Sequence, residues 1–295
     1  MNLRIFLKGK NMREEINQFL IKENKSGLSE GTLKKYEMDL NLFYKFIDYK
    51  ENIKSIMTLD DDRLQIIINK YINLLKREGY KPSTINNKIV TINKFMKYLN
   101  RECKAKAIKI QSKMYIENII TKREFDKLIK ECSSNKRDYA LIMTLANTGM
   151  RVSELLSLTI ADIRKESIYI YGKGGKGREL ILSPQLKKIL NEYINNYRLK
   201  THKRLLFTGE RGALKRGAVN KILLKYHDST GISKDKLHPH AFRHFYAKYL
   251  IKSGVSLDIV QTLLGHENIN TTSIYTKNSK KELVGIINRT FVASI

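Results

Sequence analysis

Residues 167–182, SIYIYGKGGKGRELIL, carry the clearest strand pattern in the chain. Ile168 and Ile170 alternate with polar-tipped residues, and Glu179 followed by the apolar run 180–182 closes the stretch. Between them lies the glycine-rich run 172–177, whose residues suit a tight turn. Strand patterns on both sides of such a turn predict an antiparallel β-hairpin with a glycine-rich tip.

The segments around this hairpin have helical periodicity instead. Residues 139–158 are apolar with a helical period that breaks at Thr148-Gly149. Leu205-Leu206-Phe207 is a candidate third strand. Further helical patterns occupy residues 186–197, 219–226, 242–250 and 257–264. This part of the chain is therefore predicted to be mixed α+β, mostly helical with a small antiparallel sheet.

The N-terminal part carries helical patterns only. Apolar side chains recur there at three- and four-residue steps in stretches that begin at Leu33, Leu64 and Ile85. A shorter stretch of the same kind surrounds Phe19. Four such faces predict a bundle of about four helices.

The periodicity stops at residues 103–120 and resumes where Thr121 and Glu124 have the pattern of a capping box. We interpret 103–120 as a linker, with one more basic helix as the alternative. The sequence thus predicts an N-terminal helical domain at 11–102 and a C-terminal domain at 121–295. The length of 295 residues agrees with two domains, because it exceeds what one core usually takes.

The charge of the chain points to a polyanionic partner. Lysine and arginine number 56 against 29 aspartates and glutamates, a net charge of +27. Residues 1–120 hold 24 basic and 14 acidic side chains, so the excess is spread over both parts of the chain. Such a charge favours nucleic acid, because phosphate contacts release counterions. The alternative is a proteome with a general basic bias, since lysine, asparagine and isoleucine are all plentiful.

Other classes of protein are disfavoured. No apolar run of about 18 residues would span a membrane. Cys103 and Cys132 are too few for a disulfide framework or a zinc site, which favours free thiols in a cytosolic protein. The glycine-rich run 172–177 ends in Arg178 and not in the Lys-Ser/Thr of a phosphate-binding loop. The acidic run 60–62 is better explained as the start of a surface helix than as a metal site. Phosphodiester chemistry would then depend on arginine, lysine and histidine.

Two segments place such groups on predicted helices. Arg151 follows the helix-breaking Gly149 at a predicted helix start, where an anion is favoured. Glu154 lies three residues on and would orient its guanidinium, although such a pair is most often a solvated ion pair. His240 and Arg243 share a helix face, and pair a proton carrier with a group that grips two phosphate oxygens.

Further candidates are less distinctive in isolation. His238 and His244 are competing candidates for the role of His240. Three histidines this close also suggest a zinc site, but the intervening proline and the missing fourth ligand weaken that interpretation. His266 follows a predicted helix end at glycine. Tyr275 is one of 16 tyrosines, and Lys173 resembles an ordinary turn lysine.

The combination is far more specific than any one segment. The strings TGMRVSEL, YGKGGKGREL, HPHAFRH and LLGHENINTTSIYT, in this order, resemble the catalytic signature of the tyrosine recombinase (phage integrase) family. The resemblance covers about residues 13–290 and is strongest to the Xer-like members. It implies an N-terminal core-DNA-binding domain and a C-terminal catalytic domain that close around DNA as a C-shaped clamp. All six catalytic positions of the family are filled: Arg151, Lys173, His240, Arg243, His266 and Tyr275.

The resemblance also implies a mechanism. Tyr275 would attack a DNA phosphate to form a 3′-phosphotyrosyl link and release a 5′-hydroxyl, so that neither ATP, cofactor nor metal is required. Arg151 and Arg243 would bind the non-bridging oxygens, and Lys173 would protonate the leaving oxygen, with Lys176 as the alternative. The remaining implied roles are acid and base for His240, a hydrogen bond to phosphate for His266, and support of the arginine for Glu154.

In similar recombinases, the segment after the tyrosine docks into a neighbouring subunit. We therefore expect residues 279–295 to act as an oligomerisation tail in a tetramer on two DNA sites, each with paired inverted half-sites. A related recombinase or an accessory protein is a further expected partner, and the expected location is the cytoplasm, at the nucleoid. Chromosome dimer resolution is the favoured role, with a compact integrase of a mobile element as the alternative. A type IB topoisomerase and a non-catalytic DNA-binding regulator are disfavoured alternatives.

Overall fold

The computed structural model describes residues 12–53, 56–110, 118–171 and 177–265. The chain divides into two compact units, residues 1–112 and residues 113–295. Helices dominate both units, and the strands form two small antiparallel pairs in the second. Mainly α architecture with a small antiparallel sheet is therefore confirmed. None of the described helices is both long and apolar enough to cross a membrane.

The described residues of the first unit form a bundle of four helices with a short 3-10 turn at Ile56–Thr58. Its core consists of the apolar faces that the sequence predicts, with Phe19, Phe43 and Phe95 fully buried. The acidic run is a helix start, because the Asp60 carboxylate accepts the backbone N–H of Arg63 at 2.7 Å. The helices are α1 (Met12–Lys25), α2 (Glu30–Glu51), α3 (Asp61–Arg77) and α4 (Pro82–Tyr98).

The segment after α4 packs against the first unit. Residues 101–110 contain neither helix nor strand, but Cys103 and Ala105 are buried in the core of this unit. The Asn93 side chain bonds both the N–H and the C=O of Ala105, at 2.8 and 3.0 Å. Asn86 binds both backbone groups of Ile108 in the same way. The unit consequently extends past residue 102, where the sequence pattern loses its helical period.

The second unit begins with α5 (Lys122–Cys132), which opens with the capping box of Thr121 and Glu124. The hairpin predicted from the opening stretch is present, with β1 (Ser167–Tyr171) paired antiparallel to β2 (Gly177–Ile181); its tip at 172–176 lies outside the described residues. Three helices lie between α5 and the hairpin: α6 (Lys136–Thr148), α7 (Val152–Ser157) and α8 (Ile160–Ile163). The helices described after the hairpin are α9 (Pro184–Glu192), α10 (Arg216–Leu224), α11 (His227–Thr230), α12 (Pro239–Lys252) and α13 (Leu257–Leu264).

The candidate third strand is wrong. Leu205 forms only an isolated bridge with Thr159, and the second strand pair is the two-residue hairpin of β3 (Thr208–Gly209) and β4 (Gly212–Ala213). The backbone of this stretch instead bonds a side chain: the Arg198 guanidinium donates to the carbonyls of Leu205 and Leu206, at 2.6 and 3.1 Å. The backbone acceptors of this stretch are therefore bonded by a side chain and not by a neighbouring strand.

A buried ion pair joins two helices of the first unit and gives a test of its packing. Lys88 on α4 donates to the Asp39 carboxylate on α2 at 2.7 Å, with both side chains almost fully enclosed. Lys88→Met would leave that carboxylate buried without its cation, and we expect a loss of about 3–5 kcal/mol in the free energy of unfolding. Urea denaturation of the full chain, followed by circular dichroism, measures it.

Lys34→Met is the control, because the Lys34–Glu30 pair on α2 is exposed to solvent and such pairs contribute little. Its urea midpoint should match that of the wild type. Equal midpoints for both variants would contradict a structural role for the buried pair.

Candidate active site

The site is organised around the guanidinium of Arg243, whose residue is 2% exposed. It projects from α12 and donates to two backbone carbonyls, Nη1 to Gly149 at 2.8 Å and Nη2 to Leu264 at 2.6 Å. Gly149 caps the C-terminus of α6, and Leu264 is the last residue of α13. Carbonyls at helix C-termini lack helical partners and carry partial negative charge, so a buried cation suits them. Arg243 therefore ties three helices together.

Both helix ends require glycine. Gly149 and Gly265 have φ of +58° and +63°, the left-handed conformation that ends a helix and redirects the chain. The chain leaves Gly149 towards Arg151 and leaves Gly265 towards His266. Arg243 thus fixes the points from which two candidate catalytic segments depart.

Arg151 lies at the start of α7, and Glu154 holds it there. The Glu154 carboxylate accepts the backbone N–H of Arg151 at 2.7 Å and its Nη1 at 2.9 Å. Arg178 on β2 binds the same carboxylate through Nη1 and Nη2, both at 2.9 Å. Burial alone would raise the pKa of Glu154, but the hydrogen bonds from Arg178 and Arg151 outweigh it, so the pKa is lowered and the group stays ionised.

A cleft of about 390 Å³ opens between these elements. None of the described residues that line it is acidic, so it is an electropositive recess suited to an oxyanion. Its lining consists of Met150, Arg151, Val152, Arg216, Asn220, His238, Pro239, His240 and Arg243.

His240 lines this cleft, with part of its surface open to solvent and part enclosed by protein. The pKa of its imidazole lies below the usual range, first because the surrounding protein desolvates it and then because neighbouring positive groups, Arg243 foremost, oppose a further proton. A lowered pKa keeps the ring neutral near pH 7, the form that can accept a proton. His240 therefore has the protonation state of a base.

The structure brings together three of the sequence-predicted residues, Arg151, His240 and Arg243, with Glu154 beside the first. Of the two competing histidines, His238 also lines the cleft and caps α12 by accepting the backbone N–H of Ala241 at 3.2 Å. His244 makes an edge contact with the ring of His240. The candidates Lys173, Lys176, His266 and Tyr275 and the tail at 279–295 lie outside the described residues.

Sequence reasoning missed three residues of the site. Arg216 and Asn220, four apart on α10, face the cleft from a helix whose first turn the sequence pattern did not include. Arg178 follows the glycine-rich run and was noted only as a departure from a phosphate-binding loop. It pairs with Ile170 in the hairpin, and an arginine on a short strand beside the glycine-rich run was the signal that could have prompted a search for an acidic partner. Among the described residues, no group of three or more His, Cys, Asp or Glu side chains could hold a metal ion.

Two protein-family models match the chain. The model of the phage integrase family matches residues 118–282, and the model of the phage integrase N-terminal SAM-like domain matches residues 16–103. The chain therefore belongs to the phage integrase family, the tyrosine recombinases, which are enzymes that break and rejoin DNA.

Relatives within this family are Xer tyrosine recombinases. Tyrosine recombinase XerD of Listeria monocytogenes is 31% identical over 288 residues, which cover 92% of this chain and 95% of the relative. Tyrosine recombinase XerC of Halalkalibacterium halodurans is 30% identical over 278 residues, which cover 86% of this chain and 89% of the relative. The similarity thus extends over both units.

Solved structures share the fold. The XerH site-specific recombinase bound to its difH substrate in a pre-cleavage complex aligns with a TM-score of 0.68 and 24% identity, covering 92% of this chain and 83% of that one. A lambda integrase dimer bound to a COC′ core site aligns with a TM-score of 0.70 and 17% identity, covering 90% and 77%. At these identities, the comparison establishes the common architecture.

The close packing at Gly149 gives a test of how the site is held. A Cβ there would lie 2.5 Å from a ring carbon of Tyr246 and 2.9 Å from a methyl of Leu264, in addition to the strain of the left-handed backbone. We expect Gly149→Ala to lower the free energy of unfolding by at least about 2 kcal/mol. Thermal unfolding of the full chain measures the change.

Gly231→Ala is the matched control. Gly231 also ends a helix with a φ of +66°, but a Cβ there would meet nothing within 4 Å. It should cost only the backbone strain, about 1 kcal/mol. Equal losses in the two variants would show that the contacts around Gly149 are unimportant.

Proposed function

We propose that the chain is a site-specific recombinase that cuts a DNA strand by attack of the Tyr275 hydroxyl on a backbone phosphate. The reaction forms a 3′-phosphotyrosyl link and releases a 5′-hydroxyl, and attack by a 5′-hydroxyl on that link rejoins the DNA. The observation that carries the proposal is the cleft in which Arg151, His240 and Arg243 converge. Membership in the family gives that cleft its chemistry.

In this proposal, Arg151 and Arg243 bind the non-bridging oxygens of the scissile phosphate and stabilise the charge of the pentavalent transition state. Arg243 already donates to two helix ends, which gives its guanidinium a fixed orientation before DNA arrives. Fixed donors avoid the cost of reorganisation at the moment of reaction.

Other side chains are assigned the proton transfers and a further hydrogen bond to the phosphate. His240 accepts a proton near the phosphate and the tyrosine, and its lowered pKa supports that role. Lys173 protonates the leaving 5′-oxygen, with Lys176 as the alternative donor, and His266 donates a hydrogen bond to the phosphate. The roles of the lysines and of His266 rest on the family pattern.

The N-terminal helical unit would serve as a core-DNA-binding domain. The net charge of +27 supports this, because both parts of the chain are basic. The solved XerH and lambda integrase complexes, which share the fold, hold DNA substrates.

We favour an Xer-like cellular role, the resolution of chromosome dimers at a site with paired inverted half-sites, in the cytoplasm. The support is that XerD and XerC relatives reach 30–31% identity over most of the chain. Among the solved structures, the XerH recombinase is 24% identical, whereas a lambda integrase and a transposon integrase are 16–17% identical. Integration or excision of a mobile element is the alternative. Locating the bound site by footprinting, near a replication terminus or beside a mobile element, decides between them.

The assembly proposed for this reaction is a tetramer on two DNA sites, with residues 279–295 docking into a neighbouring subunit. A second, related recombinase or an accessory protein would complete it. The support is the apolar pattern of the tail and the family resemblance.

A nicked suicide substrate tests the chemistry directly. On such DNA, the strand beyond the cut diffuses away, so that a covalent protein–DNA product accumulates. Wild-type protein should become attached, whereas Tyr275→Phe should bind the same DNA without attachment, because it lacks the nucleophilic oxygen. Denaturing electrophoresis measures the product, and attachment by the variant would overturn the assignment of Tyr275.

The role of His240 predicts a pH dependence. Because its pKa lies below the usual value of about 6.5, the imidazole is neutral at pH 7. It gains a proton only as the pH falls below that value. The single-turnover cleavage rate of the wild type should therefore be level at neutral pH and fall in acid. His240→Gln should cleave about 10²–10⁴-fold more slowly at pH 7 and lose that acidic limb; a limb of the same shape in the variant would assign it to another group.

A further inference from the structure

The carboxylate of Glu154 is shared by two arginines. Its Oε1 accepts Nη1 of Arg151 and Nη1 of Arg178, both at 2.9 Å. Its Oε2 accepts the backbone N–H of Arg151 at 2.7 Å and Nη2 of Arg178 at 2.9 Å. Each oxygen thus has two donors, which is the capacity of an ionised carboxylate.

The two arginines are not equivalent. The Arg178 side chain is 8% exposed, and it binds Glu154 through two parallel N–H bonds. It also packs against the C-terminal end of α13, because a Cβ on Gly265 would lie 3.0 Å from its Cδ. The Arg151 side chain is 43% exposed, lines the cleft, and reaches Glu154 through Nη1 alone.

This division leaves donors on Arg151. Within the part of the chain that the structure describes, its Nε and Nη2 donate to no protein atom. A lone arginine beside a carboxylate frequently pairs through two nitrogens, as Arg178 does here in the end-on geometry through Nη1 and Nη2. Arg178 occupies the positions on Glu154 that Arg151 would otherwise use.

We infer that Arg178 is a positioning residue of the recombinase reaction: it saturates Glu154, so that Arg151 remains tethered by one bond and keeps two nitrogens for a phosphate oxyanion. The charge follows the same division. With Arg178 present, the three side chains carry a net charge of +1, whereas Arg151 and Glu154 alone would be neutral. The expected effect on cleavage rests on the proposed function. The pairing of Arg151 with Glu154 can be observed without any activity measurement.

Removal of Arg178 should therefore impair cleavage through Arg151. In Arg178→Met, the freed carboxylate would turn and bind Arg151 through two nitrogens, withdrawing it from the cleft. We expect single-turnover cleavage of the nicked substrate to be at least about tenfold slower at saturating DNA, with the Kd for DNA changed less than about threefold. A tenfold change corresponds to about 1.4 kcal/mol in the barrier.

A double variant separates positioning from stability. In Arg178→Met/Glu154→Gln, the neutral amide competes weakly for Arg151, so most of the lost cleavage rate should return. Arg178→Lys should be intermediate, because a single ammonium leaves part of the carboxylate open, and it provides the test should the methionine variant not fold. All rates are measured below the melting temperature of the least stable variant.

Arg137→Met is the matched control. Arg137 binds the buried Asp138 carboxylate through two nitrogens, at 2.9 and 3.0 Å, and Lys225 shares that carboxylate at 2.7 Å. This arrangement lies at the opposite end of α6 from Gly149. The control should lose stability and cleave at the wild-type rate.

Several results would overturn the inference: a wild-type rate in Arg178→Met, a double variant as slow as the single one, or an equal slowing in the control. A crystal structure of Arg178→Met gives a reading that does not depend on activity. Arg151 should there pair with Glu154 through two nitrogens, and an Arg151 that still donates one would refute the inference. A wild type that never attaches to the nicked DNA would instead count against the proposed function.

Discussion

The arrangement of the catalytic unit depends on one buried guanidinium. Removing the charge of Arg243 from water is costly unless its N–H groups find acceptors. The carbonyls of Gly149 and Leu264 supply them at the C-terminal ends of two helices. The contact satisfies both sides, because those carbonyls would also lack partners. The same arginine lines the cleft, so the residue that holds three helices together is also one that we propose to bind the phosphate.

A second constraint is the concentration of positive charge. The described lining of the cleft brings arginines and histidines together without a carboxylate. Glu154 does not line the cleft but pairs with Arg151, which does. Because the pKa of Glu154 is lowered, its pairing stabilises the fold fully at pH values above the usual carboxyl pKa of about 4.3. That stabilisation is lost as the pH falls through the lowered pKa. The carboxylate of Glu154 thus reduces the mutual repulsion of the cations, while the solvent-exposed side of the cleft remains positively charged for DNA.

Much of this could be predicted from local sequence patterns. Helical periodicity located the longer helices of both units but not the short ones at Ile160–Ile163 and His227–Thr230. The break at Gly149 located the turn before Arg151. What the sequence could not reveal depends on side chains that reach distant backbone. Arg198 takes the carbonyls that a third strand would need, and Asn86 and Asn93 fasten a segment without helical period to the first unit. Arg178 escaped notice for the same reason, since its partner Glu154 lies 24 positions earlier.

The central claim is that Tyr275 becomes covalently joined to the 3′ end of a cut DNA strand. Mass spectrometry of the attached product tests it most directly, after digestion with nuclease and trypsin. Trypsin releases Tyr275 within residues 253–277, in which it is the only tyrosine. The account predicts a nucleotide on this peptide, linked through its 3′-phosphate to the tyrosine. A nucleotide on another peptide, or a link through a 5′-phosphate, would contradict it.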